Sequence, residues 1–419
     1  MFRALKVFNY RLWVSGALVS NIGTWMQRVA QDWLILTVLT NHSGTAAGIT
    51  TGLQFLPIIF IGPFAGVLAD RVNKRKLLLC TQTAMGLSAL ILGLLVVTGA
   101  VELWHVYALA LLLGVASAVD APARQAFVSE VVAKPDVPNA VALNSASFNM
   151  ARLAGPGIAG VVIALAGTGP AFLINAASFL AVILSLLFMR PRELQPAVKV
   201  PRGKGQIREG LVYIKERPDL MMIMVLVFLI GTFGMNFQIT NALMATTVFG
   251  VGAGEYGLLG SIMAIGTLAA ALLAARRKTM NMFYIVGGVL AFGVTVAIAA
   301  LMPNYLGYAL ALIPVGVASL TFMNACNTTV QLTTDPAMRG RVLAVYMVVL
   351  QGGTPIGAPL VGWIATEFGA RWSLGIGAVV ALLAGTAALA IMNRRNDVHL
   401  GEQFRKLRPY VVSHLSRQP

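Results

Sequence analysis

Six polar residues in one otherwise apolar stretch carry the first chemical signal: Asn21, Thr24, Gln27, Arg28, Gln31 and Asp32. At 100° per residue they fall within about 140° of arc, so a helix here bears a polar stripe down one face. Amides and a hydroxyl can hydrogen-bond a solute, and a carboxylate can take up and release a proton. A guanidinium four residues before that carboxylate is spaced to pair with it, and burial and Arg28 act on the protonation of Asp32 in opposite senses. Arg28 and Asp32 are expected to pair and to face a cavity; a purely structural ion pair is the alternative.

Other apolar stretches contribute similar groups. Arg152 shares a face with Ser145 and Asn149 and adjoins the small-residue row Ala151, Gly155 and Ala159. Thr321, Asn324, Asn327, Thr328 and Gln331 fall within about 120° of arc, and Asn236, Gln238 and Asn241 form a third group. These uncharged residues either bind a solute or hydrogen-bond neighbouring helices. The deep charges Arg28 and Arg152 against Asp32 leave a surplus of positive charge, which favours anionic or zwitterionic groups over cations.

The elements that must position these residues follow from composition. Of 419 residues, 58% are hydrophobic and 11% charged, against roughly 25% charged in soluble domains, and mean hydropathy is +0.79. A soluble cytosolic enzyme is excluded. Apolar windows near 12–38, 46–69, 77–99, 104–121, 139–166, 170–189, 220–247, 254–275, 281–302, 305–332, 341–366 and 372–392 approach the roughly 20 residues that cross hydrocarbon. The fold expected is an all-α integral membrane protein of twelve transmembrane helices. Each charge near the bilayer centre costs about 2.5–3.5 kcal/mol on insertion scales, so the stripe of the first span cannot face lipid.

The net charge of +16 is a topology signal. With the N-terminus cytoplasmic, the loops 70–76, 122–138, 190–219, 276–280 and 333–340, their edges and both tails hold every basic residue except Arg28, Arg152 and Arg371. This is the positive-inside pattern of a multi-pass protein in a bacterial plasma membrane with both termini cytoplasmic. The basic loops attract anionic membrane lipids, and no nucleic acid is expected as a partner. The N-terminal stretch has no small-residue cleavage site and is read as a retained first span. Cys80 and Cys326 lack metal spacing, His42, His105, His399 and His414 lack nucleophile or metal partners, and no Walker sequence occurs. No enzyme activity, metal or cofactor is expected.

The longest inside loop, 190–219, holds eight basic residues and separates two six-helix bundles, 1–189 and 220–392, with a basic tail at 393–419. Within it, Gln206 to Arg217 has the pattern of an amphipathic surface helix turning Ile207, Leu211 and Ile214 toward lipid, or else of a solvated linker. Gly155-Pro156 with Gly160 matches Ala358-Pro359 with Gly362, a weak internal repeat. Six-plus-six repeats around a central cavity are an architecture of alternating-access transporters.

Between the second and third windows runs Gly66-Val67-Leu68-Ala69-Asp70-Arg71-Val72-Asn73-Lys74-Arg75-Lys76. This resembles the signature loop of the major facilitator superfamily, with Asn73 where the family usually has Gly; Asn also tolerates a left-handed turn. The resemblance implies a conformational latch of Gly66, Asp70, Arg71, Arg75 and Asp120. Asp70 would face the N-terminus of the eleventh span, and Arg71 or Arg75 would pair with an acid such as Asp120, holding the cytoplasmic side shut. Thr24 to Gln27, Ala30 to Leu34, Asp120 to Phe127 and Asn139 to Asn144 resemble a bacterial exporter-like branch that includes the enterobactin exporter and multidrug efflux proteins. Gly155 to Gly160 partly resembles the antiporter motif of that superfamily; close helix packing explains those small residues nearly as well.

By this resemblance the first, fourth, seventh and tenth spans line the cavity. The chain is expected to export a small-molecule substrate by alternating access in exchange for protons. Asp32 and Arg28 would serve proton coupling, and Asn21, Thr24, Gln27, Gln31, Arg152, Asn236, Asn241, Asn324, Asn327 and Gln331 would bind substrate. Import of a small organic solute, or a sensor of the same fold that transports nothing, are the alternatives.

Overall fold

The computed structural model describes residues 3–195, 206–275 and 282–394; the basic segments 196–205, 276–281 and 395–419 lie outside the described residues. Twelve spans follow one another, and no strand occurs among the described residues. The first six are Phe8–Leu34, prolonged by a wide helical turn at Ile35–Leu39, then Gly44–Arg71, Lys74–Val97, Leu103–Val131, Val137–Ala166 and Thr168–Phe188. The second six are Pro218–Val248, Ala253–Ala275, Met282–Leu301, Tyr305–Thr333, Arg339–Phe368 and Ala370–Arg394. Eleven are apolar enough to cross a bilayer by length and composition; the first is long enough but carries the polar stripe.

Within the first six, the first span packs on the fifth and sixth, the third on the fourth and sixth, and the second on the fourth. Within the second six, the ninth packs on the tenth and twelfth, and the eighth on the tenth. The second span against the eleventh and the fifth against the eighth make the main contacts between the two sets. The turns at 72–73, 132–136 and 334–338 mark one end of the bundle, here the basic end; those at 40–43, 98–102 and 302–304 mark the far end.

At the far end the two sets touch backbone to backbone. Thr45 N–H donates to Thr366 Oγ1 at 3.1 Å, and the Ser261 hydroxyl donates to the Leu153 carbonyl at 2.6 Å nearer the middle. A Cβ on Gly160 would stand 2.8 Å from the Ala253 carbonyl oxygen, so only glycine permits this approach of the fifth and eighth spans. At the basic end, no hydrogen bond joins the two sets among the described residues. The second span stays in contact with the eleventh toward that end. Among the described residues, the hydrogen bonds between the two sets are confined to the far half of the bundle.

Three sequence expectations change. Hydrophobicity places the end of the fourth span at 121, but the helix runs through Pro122 to Val131. Ala123, Phe127, Val128 and Val131 recur at helical spacing and are buried in one cluster with Tyr10 and Trp13, so tertiary packing outweighs the proline. Trp13 meets Phe127 edge to face at 5.2 Å, with the Arg124 guanidinium 5.4 Å from the Trp13 ring. Phe127→Ala is expected to destabilise the protein by about 3–5 kcal/mol, read as a lower melting temperature in detergent; an unchanged melting curve would contradict this packing role.

The surface helix, Gln206–Glu216, docks on protein as well as facing outward. Ile214 is buried, while Leu211 is exposed as expected. Arg341 pairs with Glu209 at 2.6 Å, and the Tyr213 hydroxyl donates to Asp335 at 3.0 Å, fixing the helix to the start of the eleventh span. The Ile207 side chain lies outside the described residues. Asn73, expected to suit a left-handed turn, has φ −64° and instead caps the third span, its Oδ1 accepting from Lys76 N–H at 3.1 Å.

Candidate functional site

A cavity of about 260 Å³ lies between the two sets of spans, sealed toward the far end by the contacts above. Its polar wall includes Arg28, Arg152, Asn236, Gln238, Asn241, Tyr256 and Ser319, and its apolar wall includes Trp25, Phe55, Met235, Phe237 and Met263. The seventh span breaks where it meets this space. Wide turns occur at Ile230–Gly234 and Met244–Val248, and residues 235–236 leave the helix between them. Irregular backbone at membrane depth is tolerated where it lines a cavity. Here the Asn236 side chain donates to the Thr232 carbonyl at 2.7 Å, occupying part of its own amide. Asn241 is also engaged, accepting from the Tyr308 hydroxyl at 2.6 Å.

Arg28 and Asp32 lie one turn apart, but no ion pair joins them, contrary to the expectation from spacing. Tertiary contacts outcompete the local pairing. The Arg28 guanidinium stacks 4.9 Å from the Trp25 ring and 5.9 Å from Phe55, and its Nε is buried with no hydrogen-bond partner. Asp32, 1% exposed, accepts at Oδ2 from the Tyr256 hydroxyl at 3.2 Å and from Gln238 Nε2 at 3.4 Å. Trp33 stacks on Tyr256 with ring centroids 6.0 Å apart. The carboxylate of the first span is thus tied to the seventh and eighth spans, across the boundary between the two sets. Arg152 approaches the Trp25 ring at 5.7 Å.

The stripe of the first span divides between two environments. Thr24, Gln27 and Gln31 line a separate space of about 40 Å³ within the first six spans, beside Gln54, Ser117 and Asn175. Arg28 borders both spaces. Asn175 donates to the Gln27 side chain, and Thr24 donates to the Ser20 carbonyl at 2.9 Å. Asn21 is half-buried and borders neither space. In the tenth span it is Ser319 that reaches the cavity; Asn324, Asn327 and Gln331 lie five to twelve residues further toward the basic end, about 8–18 Å along the helix. Gln331 donates to Asn327 and is exposed.

The latch residues are not brought together as a unit. Arg75 donates from Nε to the Leu186 carbonyl at 2.6 Å and from Nη2 to that of Leu187 at 3.0 Å, capping the end of the sixth span. Asp120 pairs with Arg124 at 3.0 Å and accepts from Thr81 and Gln82 at 2.7 and 2.8 Å. Gly66 and Arg71 lie in the last turns of the second span, with Arg71 exposed; the Asp70 side chain lies outside the described residues.

Sequence reasoning missed Trp25, Phe55 and Tyr256 as site residues. Trp25 adjoins the polar stripe and was legible as part of it. Tyr256 opens an eighth span with no polar periodicity, so only its contact with Asp32 reveals it. Gly155 and Gly160 serve close packing: Cβ atoms there would meet Trp25 and the eighth span respectively.

Comparison with known proteins accounts for the whole architecture. A staphyloferrin A transporter of Staphylococcus aureus is 26% identical over 364 residues, covering 85% of this chain and 89% of the relative. The multidrug efflux pump Tap of Mycolicibacterium fortuitum is 25% identical over 402 residues, covering 90% and 94%. The crystal structure of a bacterial homologue of the human lysosomal transporter Spinster, inward-facing and unoccupied, superposes with a TM-score of 0.74 at 14% identity, covering 91% of this chain and 96% of that one. The family model described as transmembrane secretion effector matches residues 3–406, so this chain belongs to that family of the major facilitator superfamily, a family of multi-pass membrane transporters of small molecules.

Proposed function

We propose that the protein exports a small molecule across the bacterial plasma membrane by alternating access, in exchange for protons. The observation that carries this reading is the placement of Asp32: a buried carboxylate on one set of spans, held by Tyr256 and Gln238 of the other beside the solute cavity. A proton on Asp32 removes the charge that attracts those two donors and weakens a contact between the sets. Proton uptake and opening of the far end then act on the same bonds, which is what coupling requires.

In this reading the basic end is cytoplasmic, and the described state, whose two sets are hydrogen-bonded in the far half of the bundle, is the inward-facing one. Cargo enters between the fifth, eighth and tenth spans, past Asn324, Asn327 and Gln331, to Arg28, Arg152, Asn236 and Asn241. The latch of Gly66, Asp70, Arg71, Arg75 and Asp120 belongs to the opposite state, in which the basic end closes and Arg75 and Asp120 exchange their present partners. The efflux function named for the mycobacterial relative supports export over import.

The test is flux in proteoliposomes of defined sidedness, with a trapped pH dye, for a panel of cationic, neutral and anionic solutes. Uphill movement from the basic side to the far side that collapses with the pH gradient is expected. Movement indifferent to the gradient would reject proton coupling, and uphill movement in the opposite direction would reject export.

A further inference from the structure

We propose that the central cavity binds an organic anion, whose carboxylate or phenolate group seats between the guanidiniums of Arg28 and Arg152 beside Trp25. This deepens the transport reading above by naming a cargo class, and it rests on that reading only for the word cargo. Both guanidiniums lie against one indole ring, at 4.9 and 5.7 Å, so they are neighbours across a single aromatic side chain. Both border the cavity of about 260 Å³, and Arg28 Nε is buried without a hydrogen-bond partner. Neither arginine forms an ion pair among the described residues.

The titratable groups facing this pair are few. Asp32, on the same helix as Arg28, directs Oδ2 to Tyr256 and Gln238. Tyr256 is the remaining titratable group on the cavity wall, and the seventh and tenth spans contribute Asn236, Gln238, Asn241 and Ser319. Two like charges held close in an apolar enclosure repel each other, and the one nearby carboxylate, Asp32, one turn from Arg28, can offset only one of them. An anion supplied from solution meets that need, through the short, paired, charge-assisted bonds for which guanidinium is shaped. Trp25, Phe55, Met235, Phe237 and Met263 offer an apolar wall for the rest of such a molecule, and the broken seventh span supplies amides at its edge. A cation would meet two positive groups before any free carboxylate.

The experiment is equilibrium binding to the purified full-length protein in detergent, using three probes of one shape: benzene tricarboxylate, benzene tricarboxamide and tris(aminomethyl)benzene. Binding requires neither a gradient nor turnover, so its failure leaves the flux test above intact, and failure of coupling leaves this test intact. The carboxylate is expected to bind at least roughly tenfold tighter than the amide and more tightly still than the amine. Arg152→Gln should lose roughly tenfold in carboxylate affinity, and Arg152→Lys should recover only part, since it restores charge without the planar fork. Binding of the amine as tight as that of the carboxylate, no carboxylate binding by the parent, or a folded Arg152→Gln variant with parental affinity would each overturn the proposal. Should Arg152→Gln fail to fold, the comparison of probes on the parent protein still decides it.

Discussion

Asp32→Asn is expected to abolish uphill transport while leaving downhill exchange of the same solute in place. The amide is nearly isosteric, can still accept from Tyr256 and Gln238 through its oxygen, and cannot release a proton. One proton moving through 100 mV supplies about 2.3 kcal/mol, enough for roughly 40- to 50-fold accumulation. In the variant that ratio should fall to about 1 at equilibrium. The measurement is the steady-state accumulation ratio in proteoliposomes with an imposed gradient, alongside counterflow with no gradient. Accumulation equal to the parent's would show that another group carries the proton; loss of counterflow as well would indicate that Asp32 supports the cavity rather than the coupling. Tyr256→Phe serves as the companion variant, because it removes a donor to Asp32 and keeps the carboxylate. It should weaken the far-end closure and retain gradient-dependent accumulation.

Gly160→Val should open the far end. Its Cβ would lie 2.8 Å from the Ala253 carbonyl oxygen and 3.0 Å from Gly254 Cα, and both neighbours are backbone on the other set of spans. Backbone cannot rotate away as a side chain can, so the fifth and eighth spans must separate. Valine is compatible with a transmembrane helix, and the clash falls between the sets rather than within one, so each set keeps its own packing. Overpacking costs about 1–3 kcal/mol, which shifts the balance between states roughly 5- to 150-fold. The readout is Ser319→Cys in a background with Cys80 and Cys326 replaced by alanine, labelled with a membrane-impermeant maleimide from each side. Parent protein should label from the basic side, and the Gly160→Val protein from the far side with transport reduced roughly tenfold or more. Labelling unchanged on both sides, with parental flux, would show that this contact does not govern closure.

These two experiments concern features of different legibility. The first span could be recognised as site-bearing from its sequence, because six polar residues on one helical face have no stable place against lipid. Glycine at position 160 could be recognised as a packing residue but not as a gate, since its partner lies on the eighth span. Its significance depends on which backbone stands opposite.

Hydrophobic length and the distribution of basic residues determined the number and approximate position of the twelve spans, because those quantities are set by the thickness of the bilayer and the charge preference of its two faces. The chemical inventory was largely local: Asp32, Arg28 and Arg152 lie within long apolar stretches, and the longer fourth span adds Asp120, buried beside Thr81 and Gln82. Tertiary structure decided what each of them touches. Spacing along one helix paired Arg28 with Asp32, but the folded protein gives Arg28 to Trp25 and Phe55, and Asp32 to Tyr256 and Gln238. It also turned Thr24, Gln27 and Gln31 into a separate space, and set Asn324, Asn327 and Gln331 below the level of the cavity. The fourth span ran past Pro122 for the same reason, since Phe127 and Val131 found Tyr10 and Trp13 to pack against. A helix face and its periodicity are properties of neighbouring residues in the chain. A hydrogen bond from the eighth span to the first joins residues 224 positions apart, and which of many possible partners wins is settled by the packing of the whole bundle.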